Sequence, residues 1–213
     1  MNFLAHLYVS TLDEDFLTGS FIADSVKGRA IEALPVAAQQ GVVVHRLLDG
    51  YTDSHIAFRE AGERIKPDLG RWSGVVTDIL FDHFLALRWG DFSTIRLTSF
   101  ANRCYQILLQ RIEWLPLQSR QILPYIIKDD WLTNYSNLNF LRRVFNGMHQ
   151  RTSLKSTMPV AVDSLLDNYQ ELSDCFDRLF PDAITYVRKE IVKLEPVPVI
   201  DYSHQIFISI LKS

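Results

Sequence analysis

Three groups of histidines and carboxylates fall within the first 83 residues, each in a largely apolar run. His6 lies in Phe3-Leu4-Ala5-His6-Leu7-Tyr8, and Asp24 closes Gly19-Ser20-Phe21-Ile22-Ala23-Asp24. A carboxylate in such a stretch needs a partner, because burying an unpaired charge is expensive. A structural base or a capped helix end would satisfy it as well as a ligand would. The second group is His45, Asp49 and Asp53, with Arg46 beside it and His55 after it. On a helix the four-residue steps put one imidazole and two carboxylates on one face. Arg46 there could hold a phosphate bidentately. A solvated salt-bridge face is the plain alternative, weakened by Val42, Val43, Val44, Leu47 and Leu48 on the same segment. The third group is Asp78-Ile79-Leu80-Phe81-Asp82-His83-Phe84. Asp78 and Asp82 share a face, and His83 is turned roughly 100° from Asp82. Two acids and a histidine in so apolar a run are costly unless they converge on something positive. A divalent metal is the economical answer, since imidazole nitrogen and carboxylate oxygen are its common ligands.

Helices must position these groups, for the dominant apolar period is helical. The pattern predicts helices over 15–27, stopped at Gly28; from Pro35 through Leu48; over 56–66, ending before Pro67; and over 70–89. Further helices are expected over 93–115 with Ser93 as N-cap, over 118–135 with a kink at Pro124, and over 137–151. The stretch 160–194 should be two helices split at Pro181. The expectation is a single all-α domain of about eight helices over residues 1–194. Residues 195–213, with two prolines and a β-branched run, read as an extended C-terminal tail of no assigned role.

Composition narrows the function classes. With 47% hydrophobic and 22% charged residues, the 213-residue chain is globular in type, not disordered. A net charge of -3 makes it a poor nucleic-acid coat. Cys104 and Cys175 are too few and too far apart for a disulfide framework or a zinc motif, and suit a reducing compartment. The N-terminal segment lacks a signal-peptide pattern, and no long apolar run suggests a membrane span, so a cytoplasmic, membrane-free protein is expected. Gly-rich phosphate loops, nucleophile elbows and His-Glu-x-x-His are missing from the sequence. His149 and His204 have no acids nearby and read as surface or packing residues.

The blocks Met1-Asn2-Phe3-Leu4-Ala5-His6, Gly19 to Gly28, His45 to Asp53 and Asp78 to Phe84 occur in order. Asp130-Trp131-Leu132, Tyr135, Asn146-Gly147-Met148 and Arg151 follow. Together, over roughly residues 1–190, they resemble the bacterial acyl carrier protein phosphodiesterases. The resemblance implies a helical fold related to the HD phosphohydrolases and a manganese-preferring reaction. That reaction hydrolyses the phosphodiester joining 4′-phosphopantetheine to a serine of acyl carrier protein, giving the apo protein and 4′-phosphopantetheine. Ordinary HD enzymes carry a contiguous His-Asp pair, whereas the adjacent pair here is reversed, Asp82-His83. Ligands therefore do not transfer by analogy.

On this reading Asp24, His45, Asp82 and His83 form the expected ligand set for a divalent metal, with Mn2+ the expected ion. Asp24, Asp78, Asp82 and His83 are the expected catalytic groups. His6, Asp49 and Asp53 are expected as supporting or alternate ligands, and Asp78 as another. Loss of Asp82 should abolish catalysis and, without metal, relieve repulsion from Asp78. Residues 131–162 contain no Asp or Glu but carry Arg142, Arg143, Arg151 and Lys155. That local +4 leaves -7 on the rest of the chain, and a basic surface attracts an acidic protein such as acyl carrier protein. Arg46 is expected to steady phosphate, and Arg142, Arg143 and Arg151 to contact the substrate. Two alternatives stay open: an HD-like phosphohydrolase of a nucleotide or other small phosphoester, and a helical binding module without catalysis. Oligomeric state is not readable from the sequence.

Overall fold

A computed structural model describes residues 1–10, 13–153 and 155–194. The expected tail, 195–213, lies outside the described residues. Within them every regular element is helical. The elements are α1 (Phe3–Val9), α2 (Glu14–Ile22), α3 (Val36–Ser54), α4 (Ile56–Leu69), α5 (Ser73–Leu87) and α6 (Trp89–Phe92). Then come α7 (Leu97–Gln110), α8 (Leu117–Lys128), α9 (Trp131–Asn134), α10 (Leu138–Arg151), α11 (Ala161–Asp167) and α12 (Tyr169–Ile191). Short 3-10 turns join several of them, including Ala23–Ser25 and Gly70–Trp72. The expected all-α class stands, with the chain divided more finely than about eight helices because several elements are only one or two turns long.

Local chemistry explains most boundaries. Pro35 precedes α3, where its missing N–H costs nothing. Asn137 caps α10 by accepting from the Asn139 and Phe140 amides. Asp13 does the same for α2 through Asp15 and Phe16. Three expectations fail at the edges. Ser93 does not cap α7, which starts after Arg96; its hydroxyl instead accepts from the Ile95 amide. Pro67 lies inside α4, and Pro181 lies inside α12, so the split falls at Asn168. A proline inside a helix costs ~3 kcal/mol. α12 buries Leu172, Phe176, Leu179, Phe180, Ala183, Ile184 and Val187, and each large apolar side chain returns about 1.5–3 kcal/mol. Burial therefore carries the helix through Pro181.

The core runs from Met1 to Ile191 as one buried cluster. Phe176 and Phe180 stack at 5.0 Å, and Phe92 meets Phe180 edge-on at 4.9 Å. Tyr8 of α1 is buried against Trp89 and Phe180, and its hydroxyl donates to the Phe92 carbonyl.

Two contacts fix where α1 and α3 sit. The first lies at the start of α1. Asp82, fully buried on α5, accepts from the amides of Asn2 (3.2 Å), Leu4 (2.7 Å) and Ala5 (3.2 Å). The Asn2 side chain takes the remaining Phe3 amide. All four of these N–H groups are thus satisfied, three of them by a carboxylate 77–80 residues away. One turn earlier on α5, Asp78 pairs with the amino group of Met1. The two acids therefore face different partners, and the expected repulsion between them is not the governing interaction. The second contact is between α2 and α3. A Cβ on Gly19 would stand 2.0 Å from the Ala38 carbonyl oxygen, and one on Gly41 2.0 Å from the Phe16 carbonyl oxygen. The helices touch backbone to backbone, and only glycine allows it.

Burial pushes the Asp82 carboxyl up to about 7, against the opposing effects of the Met1 amino group and the amides it accepts from. Its contribution to stability is therefore full below the ordinary carboxyl pKa and is lost as pH rises towards and through 7. Asp82→Ala at pH 6 should destabilise the metal-free protein by about 3 kcal/mol, because two buried N–H groups and the part-buried Asn2 amide lose their acceptor at ~1–3 kcal/mol each. Urea unfolding measures this, and an unchanged or higher midpoint would contradict the capping role. Gly41→Ala should also lower the melting temperature, since backbone on both sides prevents local relief.

Candidate functional site

α1 brings His6 to α3, and the close approach of α2 to α3 brings the chain after α2 alongside. His6 and His45 stack face to face, their ring centroids 3.7 Å apart and 16° from parallel. Asp49, one turn after His45, bridges both rings: Oδ1 lies 3.0 Å from His6 Nε2 and Oδ2 3.2 Å from His45 Nε2. Asp24, in the 3-10 turn after α2, reaches His45 Nε2 at 3.5 Å. His6 Nε2 also lies 3.1 Å from the Met1 carbonyl oxygen. The histidines are buried, Asp49 half-buried and Asp24 exposed. A cavity of about 340 Å³ opens onto the group, lined also by Asp53, Asp78, Val75 and Met148.

Stacking two imidazoles against one carboxylate forces their protonation apart. Burial disfavours charge on His6, and the adjacent His45 adds to it; together they lower His6 to about 4 despite Asp49. Burial also opposes charge on His45, but Asp24 and Asp49 outweigh it and raise His45 to about 9. Asp49 is held well below the usual carboxylate range: its burial acts the other way, but both histidines overcome it. Asp24 is lowered chiefly by its bond to His45. Burial raises Asp78, with the Met1 amino group opposing. At neutral pH the group therefore holds one imidazolium, one neutral imidazole and two carboxylates.

The donor set suits a divalent ion. Ligand atoms of His6, His45 and Asp49 all lie within 4.8 Å of one another, and two imidazoles with carboxylates match Mn2+, Fe2+ or Zn2+ chemistry. If Nε2 of each ring faced such an ion, each ring would keep its proton on Nδ1. Among the described residues both Nδ1 atoms are buried without a hydrogen-bond partner.

The structure brings together only part of the expected set. Asp24 and His45 are in the group, and His6 and Asp49, expected in support, are at its centre. Asp53 stands exposed at the rim and Asp78 lines the wall. Asp82 and His83 lie outside this group. Asp82 is spent on the α1 amides. His83 Nδ1 lies 2.8 Å from the Tyr135 carbonyl oxygen, with its ring against Phe84 and Tyr169. The Arg46 guanidinium donates to the Val26 carbonyl oxygen at 2.8 Å and does not line the cavity. Arg142 is tied to Asp163 at 2.6 Å, so its charge is compensated. Arg143 and Arg151 share one face of α10 and line a second cavity that meets the first. The backbone of Met1 was missed altogether. The one signal for Asp49 was its spacing from His45; no spacing in the sequence links residue 6 to residue 45.

Residues 1–183 match the family described as acyl carrier protein phosphodiesterase. A protein of Enterobacter sp. (strain 638) named acyl carrier protein phosphodiesterase is 31% identical over 180 residues, 84% of this chain and 90% of that protein. One of the same name from Yersinia pestis is 30% identical over 182 residues, 85% of this chain and 94% of its own. No solved structure matches the chain. Among the described residues no helix is long and apolar enough to cross a membrane.

A metal on these ligands must displace the proton that His45 holds at neutral pH. Mn2+ affinity should therefore rise with pH, by about tenfold per unit between 7 and 8.5, with about one proton released per ion. Calorimetry in two buffers of different ionisation enthalpy reads both. A flat affinity with no proton release would contradict the assigned charge on His45.

Proposed function

The chain belongs to the acyl carrier protein phosphodiesterase family, a family of enzymes, and from that premise we propose that it hydrolyses the phosphodiester linking 4′-phosphopantetheine to a serine of acyl carrier protein at a divalent metal held by His6, His45, Asp49 and Asp24. The observation that carries the reading is the convergence of two stacked imidazoles and two carboxylates in a recess. A divalent ion, Mn2+ by resemblance, supplies Lewis acidity at the phosphate and lowers the pKa of a bound water.

The chain's own groups account for the rest. Asp49, beside both Nε2 atoms, would share the ion with the two rings. Asp24, exposed and ionised, stands at the mouth where a substrate enters. Asp53, one turn beyond Asp49, is the rim carboxylate placed to accept a proton from an attacking water. The P–O bond to the serine breaks as water oxygen joins phosphorus; the serine oxygen leaves with a proton, and the phosphate stays with pantetheine. Asp78 and Asp82 act at a distance, by holding residues 1–5 and thereby His6. Arg143, Arg151 and Lys155 give the adjoining face the positive charge that an acidic carrier protein meets.

Mass spectrometry of holo-acyl carrier protein incubated with enzyme and Mn2+ tests this. The expected result is loss of the phosphopantetheine mass by wild type, with at least a 100-fold slower loss by His6→Ala and Asp49→Asn. Folded wild-type enzyme that leaves the holo protein intact would overturn the reading.

A further inference from the structure

The cavity that meets the His/Asp recess has walls of a different character. It has a volume of about 250 Å³ and lies between α1, α9 and α10. Phe3, Trp131, Phe140, Val144 and Met148 supply its apolar surface, and Arg143 and Arg151 its charge. Asn2, Phe3, Ile79 and Met148 belong to both cavities, so the two are separated by shared side chains and not by a layer of structure. The Arg143 guanidinium lies 5.4 Å from the Phe140 ring centre. Among the described residues neither Arg143 nor Arg151 is paired with a carboxylate, in contrast to Arg142.

Resting on the reading above, we propose that this second cavity is the site of the pantetheine arm: the phosphate lies at the His/Asp recess and the arm runs past Phe3 and Met148 between α1, α9 and α10. A phosphodiester has two sides, and only one fits here. The serine side is a folded protein and stays outside a recess of this size. The pantetheine side is a thin chain of methyl, methylene and amide groups that suits a mostly apolar slot with a few polar groups. Unpaired guanidiniums at its edge complement the phosphate that anchors the arm. Departure of 4′-phosphopantetheine then requires no movement of the carrier protein.

Gly147 gives the test. It lines this cavity from α10, and a Cβ there meets nothing within 4 Å, so a side chain can enter the cavity without disturbing the helix backbone. Binding of 4′-phosphopantetheine and of phosphate-free pantetheine to the Mn2+-loaded protein is measured by calorimetry, for wild type, Gly147→Phe and Val144→Trp. Circular dichroism confirms that each variant is folded. The expected result is saturable binding of both compounds to wild type, weakened at least tenfold by either substitution, with the affinity for inorganic phosphate changed less than threefold. Equal affinity of wild type and both folded variants for the two compounds overturns the proposal, as does a wild type that binds inorganic phosphate but neither of them. Tighter binding of a fatty acid such as dodecanoate than of pantetheine, lost in Gly147→Phe, also overturns it and makes the cavity a lipid site. Because binding is read without turnover, the two readings fail separately. A wild type that binds the arm but leaves holo-acyl carrier protein intact refutes the reaction and keeps the cavity assignment. A wild type that turns the substrate over without binding the arm does the reverse.

Discussion

The carboxylate of Asp82 is buried on α5 and accepts three amides from the start of α1. A seven-residue helix has little stability of its own. Its first turn exposes amides that must find acceptors, and inside a core those acceptors cannot be water. Asp82 supplies them and fixes the rotation of α1 about its axis. Tyr8 then points into the aromatic core and His6 points at α3. The pairing of Asp78 with the Met1 amino group closes the same segment from the other side. An acid that looks catalytic by its company is here the anchor that places a histidine.

The second requirement is distance. Two imidazoles stacked at 3.7 Å demand that the backbones carrying them stay close. α2 and α3 meet at Gly19 and Gly41, where the backbone of one helix occupies the space of the other's missing Cβ. This draws Asp24, just beyond α2, to the His45 face of α3. Desolvation of two rings beside each other would be prohibitive if both were charged. Asp49 resolves it by bridging them, and the two rings titrate far apart, near 4 and near 9. A divalent ion in place of the His45 proton would satisfy the same electrostatics with more charge. The apolar cavity against α10 adjoins this recess through Asn2, Phe3, Ile79 and Met148 and carries Arg143 and Arg151.

The sequence read the helical class well because amphipathic periodicity and caps are local. Asn137 and Pro35 mark real helix starts, and the one-turn step from His45 to Asp49 is a real contact. Prolines misled where burial outweighed a lost hydrogen bond, as at Pro181. The expected place of Asp82 and His83 differs from the structure's grouping for a different reason. Periodicity reports that a group is buried; it does not report whether its partner is an ion or a row of backbone amides contributed by a segment 80 residues away. The partners of His6 are likewise not legible in the sequence, since they depend on how α1, α2 and α3 pack. Likewise a charge count could not separate Arg142, neutralised by Asp163, from Arg143 and Arg151, which open onto the cavity.

The central claim is that the chain's metal centre lies between α1 and α3 and not on α5. Anomalous diffraction from crystals of the wild-type protein grown with Mn2+ tests it most directly. The account predicts one strong manganese peak per chain within coordinating distance of His6 Nε2, His45 Nε2 and an Asp49 oxygen, with the Asp82 carboxylate still bonded to the α1 amides. A peak beside Asp82 and His83, or none near His6, would contradict it.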